Sequence, residues 1–140
     1  RMDDAISAWQ TGMKHAPNDA SLLNNLSIVL MQTGRYEEAA QHAQTALSAN
    51  PTMPQALNTM GQVMMLKKDH GKAVEYFLKA IEQQPDVPTR YWNAALAMEQ
   101  AGKYDMAMQY ARTYVNMEKD GAALQRAAGF MEHLNKRMGR

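Results

Sequence analysis

Residues 54–87 read PQALNTMGQVMMLKKDHGKAVEYFLKAIEQQPDV, and two apolar stripes divide that stretch. Leu57, Met60, Gly61 and Met64 recur at the three- and four-residue steps of one helix face. Ala73, Phe77 and Ala80 form a second stripe, and Pro85 closes it, because the residue before a proline is pushed out of the helical region. The stretch therefore reads as two helices joined by a turn.

The same grammar extends in both directions. Ala5, Ala39, Ala73 and Ala107 stand 34 residues apart, and so do Pro17, Pro51 and Pro85. A self-similarity at that spacing marks an array of helical pairs. No pair buries its apolar face alone, so neighbours must stack. Unit 20–53 carries Leu23, Leu26 and Leu30, then Gly34, whose freedom at positive φ ends a helix. Its second stripe runs from Tyr36 through Ala39, Ala40, Ala43, Ala46 and Leu47 to Asn50-Pro51. Unit 88–121 carries Tyr91, Ala94, Ala95 and Met98, then Gly102, Tyr104, Ala107, Ala111 and Tyr114. Small residues at matching places let two helix axes approach, and a larger neighbour fills the adjoining hole.

Before these units, residues 1–19 hold only the second-helix half of a unit: Ala5, Trp9, Gly12 and Pro17. After them, residues 122–140 carry the stripe Leu124, Ala127, Ala128, Met131, Leu134 and Met138. Opposite it lie Gln125, Arg126, Glu132, His133, Lys136 and Arg137, the pattern of a capping helix. The spacing predicts helices over 3–15, 20–33, 36–49, 54–67, 70–83, 88–101, 104–117 and 122–138. Because the chain opens at Arg1 in the middle of a unit, it reads as a piece of a longer protein.

In register, these residues resemble the tetratricopeptide repeat, whose pattern is Trp-x2-Leu-Gly-x2-Tyr, then Ala-x3-Phe, then Ala and Pro. Unit 54–87 fits best, through Leu57, Met60, Gly61, Met64, Ala73, Phe77, Ala80 and Pro85. Unit 20–53 departs with Ser27 for the glycine and Ala43 for the phenylalanine. Unit 88–121 departs with Ala95, Ala111 and Tyr114, and has Lys119 where the proline falls. The resemblance implies an all-α, right-handed solenoid of antiparallel helix pairs, of a bacterial type, whose concave face is lined by the first helix of each pair.

The lining places are the second, fifth, sixth, ninth, twelfth and thirteenth of each unit. Here they hold Ser21, Asn24, Asn25, Ile28, Met31 and Gln32, then Gln55, Asn58, Thr59, Gln62, Met65 and Leu66. The third unit supplies Thr89, Trp92, Asn93, Leu96, Glu99 and Gln100. The candidate peptide-binding residues are Asn24, Asn25, Ile28, Met31, Asn58, Thr59, Gln62, Met65, Trp92, Asn93 and Leu96. An asparagine amide both donates and accepts, and so can pair with an extended peptide backbone. Asn25, Thr59 and Asn93 form one row with Asn24, Asn58 and Trp92 beside it, similar to the asparagine ladders of some family members. The competing reading is a merely solvated polar face. Met31 and Met65 add adaptable thioethers to the row. Another family mode, a clamp for a C-terminal carboxylate, needs cations on the first helices. The matching places carry Asn24, Ile28, Thr59, Thr89 and Asn93, and Arg90 is off the register, so the clamp is rejected.

Composition removes other classes. A net charge of +1 gives no broad basic surface for nucleic acid. The chain has no cysteine, which excludes disulfides and thiol chemistry and fits an exported protein as well as a cytoplasmic one. No apolar run approaches the roughly 18 residues of a membrane span. His15, His42, His70 and His133 fall on different helices at unrelated places, with no helical partner for a metal. The sequence thus implies no cofactor, no metal and no catalysis in this chain. The expected function is a protein–protein interaction module holding a peptide or partner helix as an adaptor. A self-assembling scaffold, through Trp9 and the first half-unit, is one alternative. A substrate-selecting arm of a larger enzyme is another, since the family includes glycosyltransferases of that design. Trp92→Ala/Asn93→Ala is expected to weaken binding with little loss of stability.

Overall fold

The computed structural model describes residues 2–15 and 19–140, and Arg1 and Pro17 lie outside the described residues. Its helices are α1 (Met2–His15), α2 (Ala20–Gln32), α3 (Tyr36–Ala49), α4 (Pro54–Leu66), α5 (His70–Gln83), α6 (Pro88–Gln100), α7 (Tyr104–Met117) and α8 (Gly121–Arg137). Local chemistry sets their starts. Asp19, Asp69 and Asp120 accept hydrogen bonds from the backbone N–H groups of Leu22 (3.1 Å), Lys72 (3.3 Å) and Ala123 (2.9 Å). Pro54 and Pro88 sit in the first turns of α4 and α6, where a missing N–H costs no helical bond.

The first helix of each pair ends the same way. Gly34 (φ 83°) and Gly102 (φ 78°) turn the chain, and the next residue donates back to the helix, from Arg35 N to Leu30 O (2.8 Å) and from Lys103 N to Met98 O (2.7 Å). Lys68 takes the corresponding place with φ 65°, and Asp69 N reaches Met64 O at 2.8 Å. A lysine thus holds the left-handed conformation that its neighbours give to glycine.

Helices α2 and α3, α4 and α5, and α6 and α7 pack as pairs, while α3 on α4 and α5 on α6 stack one pair on the next. Ala39, Ala46, Ala73, Ala80 and Ala107 are fully buried at these contacts. Helix α1 lies against α2, with Ile6 buried and Trp9 partly buried against the same continuous core. The result is an all-α solenoid.

Helix α8 packs against α7 at the end of the array, with the expected stripe turned inward except at Ala128. Ala123, Ala127 and Leu134 are buried, Phe130 packs on Trp92, and Ala128 is exposed. The expected polar face is also partly engaged: Arg137 donates to the Tyr104 hydroxyl (2.7 Å), and His133 lies 3.7 Å from Glu99. Phe130, outside the expected stripe, joins the inward face through its edge contact with the Trp92 indole, a contact between distant segments.

Candidate partner-binding groove

The first helices α2, α4 and α6 share one face, where two adjoining hollows open. One, of about 500 Å³, lies between α2 and α4 and is lined by Asn24, Asn25, Ile28, Met31, Gln32, Gln55, Asn58, Thr59, Gln62 and Arg90. The other, of about 290 Å³, is lined by Met31, Gln62, Met65, Leu66, Phe77, Asn93 and Leu96. Met31 and Gln62 belong to both, so the hollows form one continuous surface.

Within that surface the amides are not equivalent. Asn25 is exposed, while Asn24 is only 4% exposed and its Oδ1 has no hydrogen-bond partner among the described residues. Asn93 Nδ2 donates to Asn58 Oδ1 at 3.1 Å, which joins neighbouring units across the floor. Thr59 is 2% exposed, and its hydroxyl donates to the Gln55 carbonyl one turn back at 2.9 Å. Its oxygen satisfies its own helix. The row Asn25, Thr59 and Asn93 is therefore one open amide, one buried hydroxyl and one amide already paired.

Trp92 lies on neither hollow. Its ring stands 5.2 Å from both Tyr114 and Phe130, centroid to centroid, and binds the cap to the third pair. Replacing Trp92 with alanine removes that packing, so Trp92→Ala/Asn93→Ala should cost stability, where spacing alone led to the expectation of little loss. Glu99, another lining place, faces His133 of the cap. Helix α8 thus occupies the end of the row.

Arg90 is the residue that register alone missed. Its Nε and Nη2 both donate to Gln84 Oε1, at 3.2 and 2.7 Å. Burial pushes the guanidinium below its ordinary pKa, and no carboxylate offsets that among the described residues. Of the residues lining the two hollows, it alone carries a full charge. Its backbone lies outside the lining rows, but its long side chain reaches them. The available signal was the length of the side chain and the glutamine six residues before it.

A third hollow, about 550 Å³, opens between α3 and α5, lined in part by Glu37, Gln44, Lys72, Glu75, Tyr76 and Lys79. Although larger, it carries charges of both signs, two of them already engaged: Glu37 with Lys67, whose Nζ stands 2.6 Å from Glu37 Oε1, and Lys79, 5.6 Å over the Tyr76 ring. The groove along the first helices, with its unanswered cation and half-buried thioethers, is the stronger candidate. Among the described residues no group of three His, Asp or Glu side chains is placed to hold a metal. None of the described helices is long and apolar enough to cross a membrane.

Residues 30–99, half of the chain, match a family model described as tetratricopeptide repeat, and residues 1–54 match a second model of the same description. The chain belongs to the tetratricopeptide repeat family. Its fold is similar to that in a crystal structure of MamA, with a TM-score of 0.89 at 19% identity over 99% of this chain and 79% of that one. It is also similar to MamA 41-end from Desulfovibrio magneticus RS-1, with a TM-score of 0.90 at 17% identity over 99% of this chain and 76% of that one. Likeness at such identities is a likeness of fold. No curated protein matches the sequence. The fold is that of a protein–protein interaction module, and proteins of this kind generally act without catalysis.

Proposed function

We propose that this chain is a non-catalytic adaptor that holds a segment of a partner protein along α2, α4 and α6. The observation that carries this reading is the continuous pair of hollows joined at Met31 and Gln62. The hollows combine amides able to pair with peptide main chain and apolar side chains able to shift around a guest. Contact area of that kind recognises a segment by pockets and backbone bonds together.

The test is site-directed photo-crosslinking in the source cell, with the reactive residue at Gln62 in the groove or at Gln44 on the opposite face. A partner joined at Gln62, and lost in a helical Asn25→Ala/Met65→Ala variant, supports the groove. A partner joined only at Gln44 overturns it. Crosslinks only between copies of this chain at either place replace the adaptor with a self-assembling scaffold.

A further inference from the structure

Charge and apolarity are segregated within the groove. Arg90 stands near the start of α6, facing Gln55 near the start of α4, at one end of the larger hollow. Met65, Leu66 and Leu96 lie toward the ends of the same helices, around the smaller hollow, with Leu66 43% exposed. Nothing anionic lines either hollow.

Resting on the reading that this groove holds the partner, we propose that it selects a segment with an internal acidic side chain at Arg90 and a large apolar side chain in the methionine-lined hollow. The guanidinium has five N–H donors and gives two to Gln84, so three are left for a carboxylate. Gln84 holds the fork in place, which reduces the ordering that a ligand must impose. A half-buried cation without a counter-charge gains more from a carboxylate than a solvated one, because water screens it less. At the other end, the thioethers of Met31 and Met65 and the edge of Phe77 present a soft apolar wall.

The geometry also fixes a spacing. Arg90 and Leu96 are six residues apart on one helix, a rise of about 9 Å at ~1.5 Å per residue. An extended segment of polyproline II type, with about three residues per turn and a rise of ~3.1 Å per residue, covers that distance in about three residues and returns to the same face. The acid and the apolar residue therefore belong at i and i+3, in either chain direction. Asn25 and Ile28 on α2 line the same hollow as Arg90, which leaves a bound segment room to run on across α2 beyond the acid. The carboxylate is thus a side chain and not a chain end.

The experiment is selection from a random library of 12-residue peptides, acetylated and amidated at their ends, against the full chain and two variants. The wild type is expected to enrich Asp or Glu three residues from Leu, Met or Phe. Arg90→Glu is expected to replace the acid by Lys or Arg in the selected peptides, an inversion that mere unfolding does not produce. Leu66→Glu is expected to abolish the apolar preference and keep the acid. The best peptide should bind Arg90→Gln at least tenfold more weakly than the wild type by fluorescence polarisation. Peptides that crosslink at Gln62 without an acidic preference overturn this inference and leave the groove reading standing. Peptides that need a free C-terminal carboxylate, tested by repeating the selection with unblocked ends, also overturn it. Failure to select any peptide that crosslinks at Gln62 removes both readings.

Discussion

The joint between α2 and α3 and the joint between α4 and α5 occupy the same place in successive units, and they are built from different atoms. In the α4–α5 joint Gly61 faces Phe77, and a Cβ on that glycine would lie 2.5 Å from the ring. The corresponding pair in the α2–α3 joint is Ser27 and Ala43, and the serine hydroxyl donates to the Ala39 carbonyl at 2.6 Å. A third solution, Ala95 with Ala111, fills the α6–α7 joint, and both residues are fully buried. What recurs is a reciprocity between two facing positions: among these three joints, only the one that carries the large ring carries the glycine. Where the phenylalanine is replaced by alanine, no ring needs the space of a missing Cβ, and serine or alanine stands in the glycine's place.

The strongest way to break this comparison is Phe77→Ala. It empties the space for which Gly61 makes room, and it should cost about 3–5 kcal/mol in chemical denaturation. A loss below about 1 kcal/mol would show that the ring is not what seals the joint. Next comes Gly61→Ala, which forces the ring to move and should cost about 1–3 kcal/mol. Adding Phe77→Leu to it should return part of that loss, and strictly additive losses would deny any coupling between the two sites. In the α2–α3 joint, Ser27→Ala removes a buried hydrogen bond without leaving a hole. Its expected cost is smaller, about 0.5–1.5 kcal/mol, and a cost equal to that of Phe77→Ala would erase the contrast between the joints.

The smallest effect has the opposite sign. Lys68 holds φ 65° where Gly34 and Gly102 serve the neighbouring units. Left-handed backbone costs a side-chain-bearing residue about 1–2 kcal/mol, and glycine's freedom in the unfolded chain takes back part of that. Lys68→Gly should therefore stabilise the protein by about 0.5–1 kcal/mol, read as a higher denaturation midpoint. A fall in the midpoint would mean that the Lys68 side chain holds the turn by contacts worth more than its strain.

Much of the architecture was legible before any coordinates. The expected helix over 54–67 is Pro54–Leu66, and the one over 104–117 is Tyr104–Met117. Such agreement follows because caps, prolines and apolar stripes act within one or two turns of chain. The candidate groove was legible in its addresses. Asn24, Asn25, Ile28, Met31, Asn58, Thr59, Gln62, Met65, Asn93 and Leu96 all line the two hollows. Their availability to a partner was not legible. Whether an asparagine is open like Asn25 or tied like Asn58 depends on a residue 35 positions away.

From sequence alone come the family, the 34-residue period, the helices and the face on which the candidate groove lies. Each depends on spacing, and in a solenoid spacing carries directly into shape because every unit touches only its neighbours. The tertiary structure decided which side chains that groove offers. It committed Trp92 to Tyr114 and Phe130, left Ala128 of α8 facing water, and brought Arg90 into a hollow built from α2 and α4. These outcomes depend on how far a side chain reaches and on what another unit places at its tip, and no periodicity within the chain encodes either.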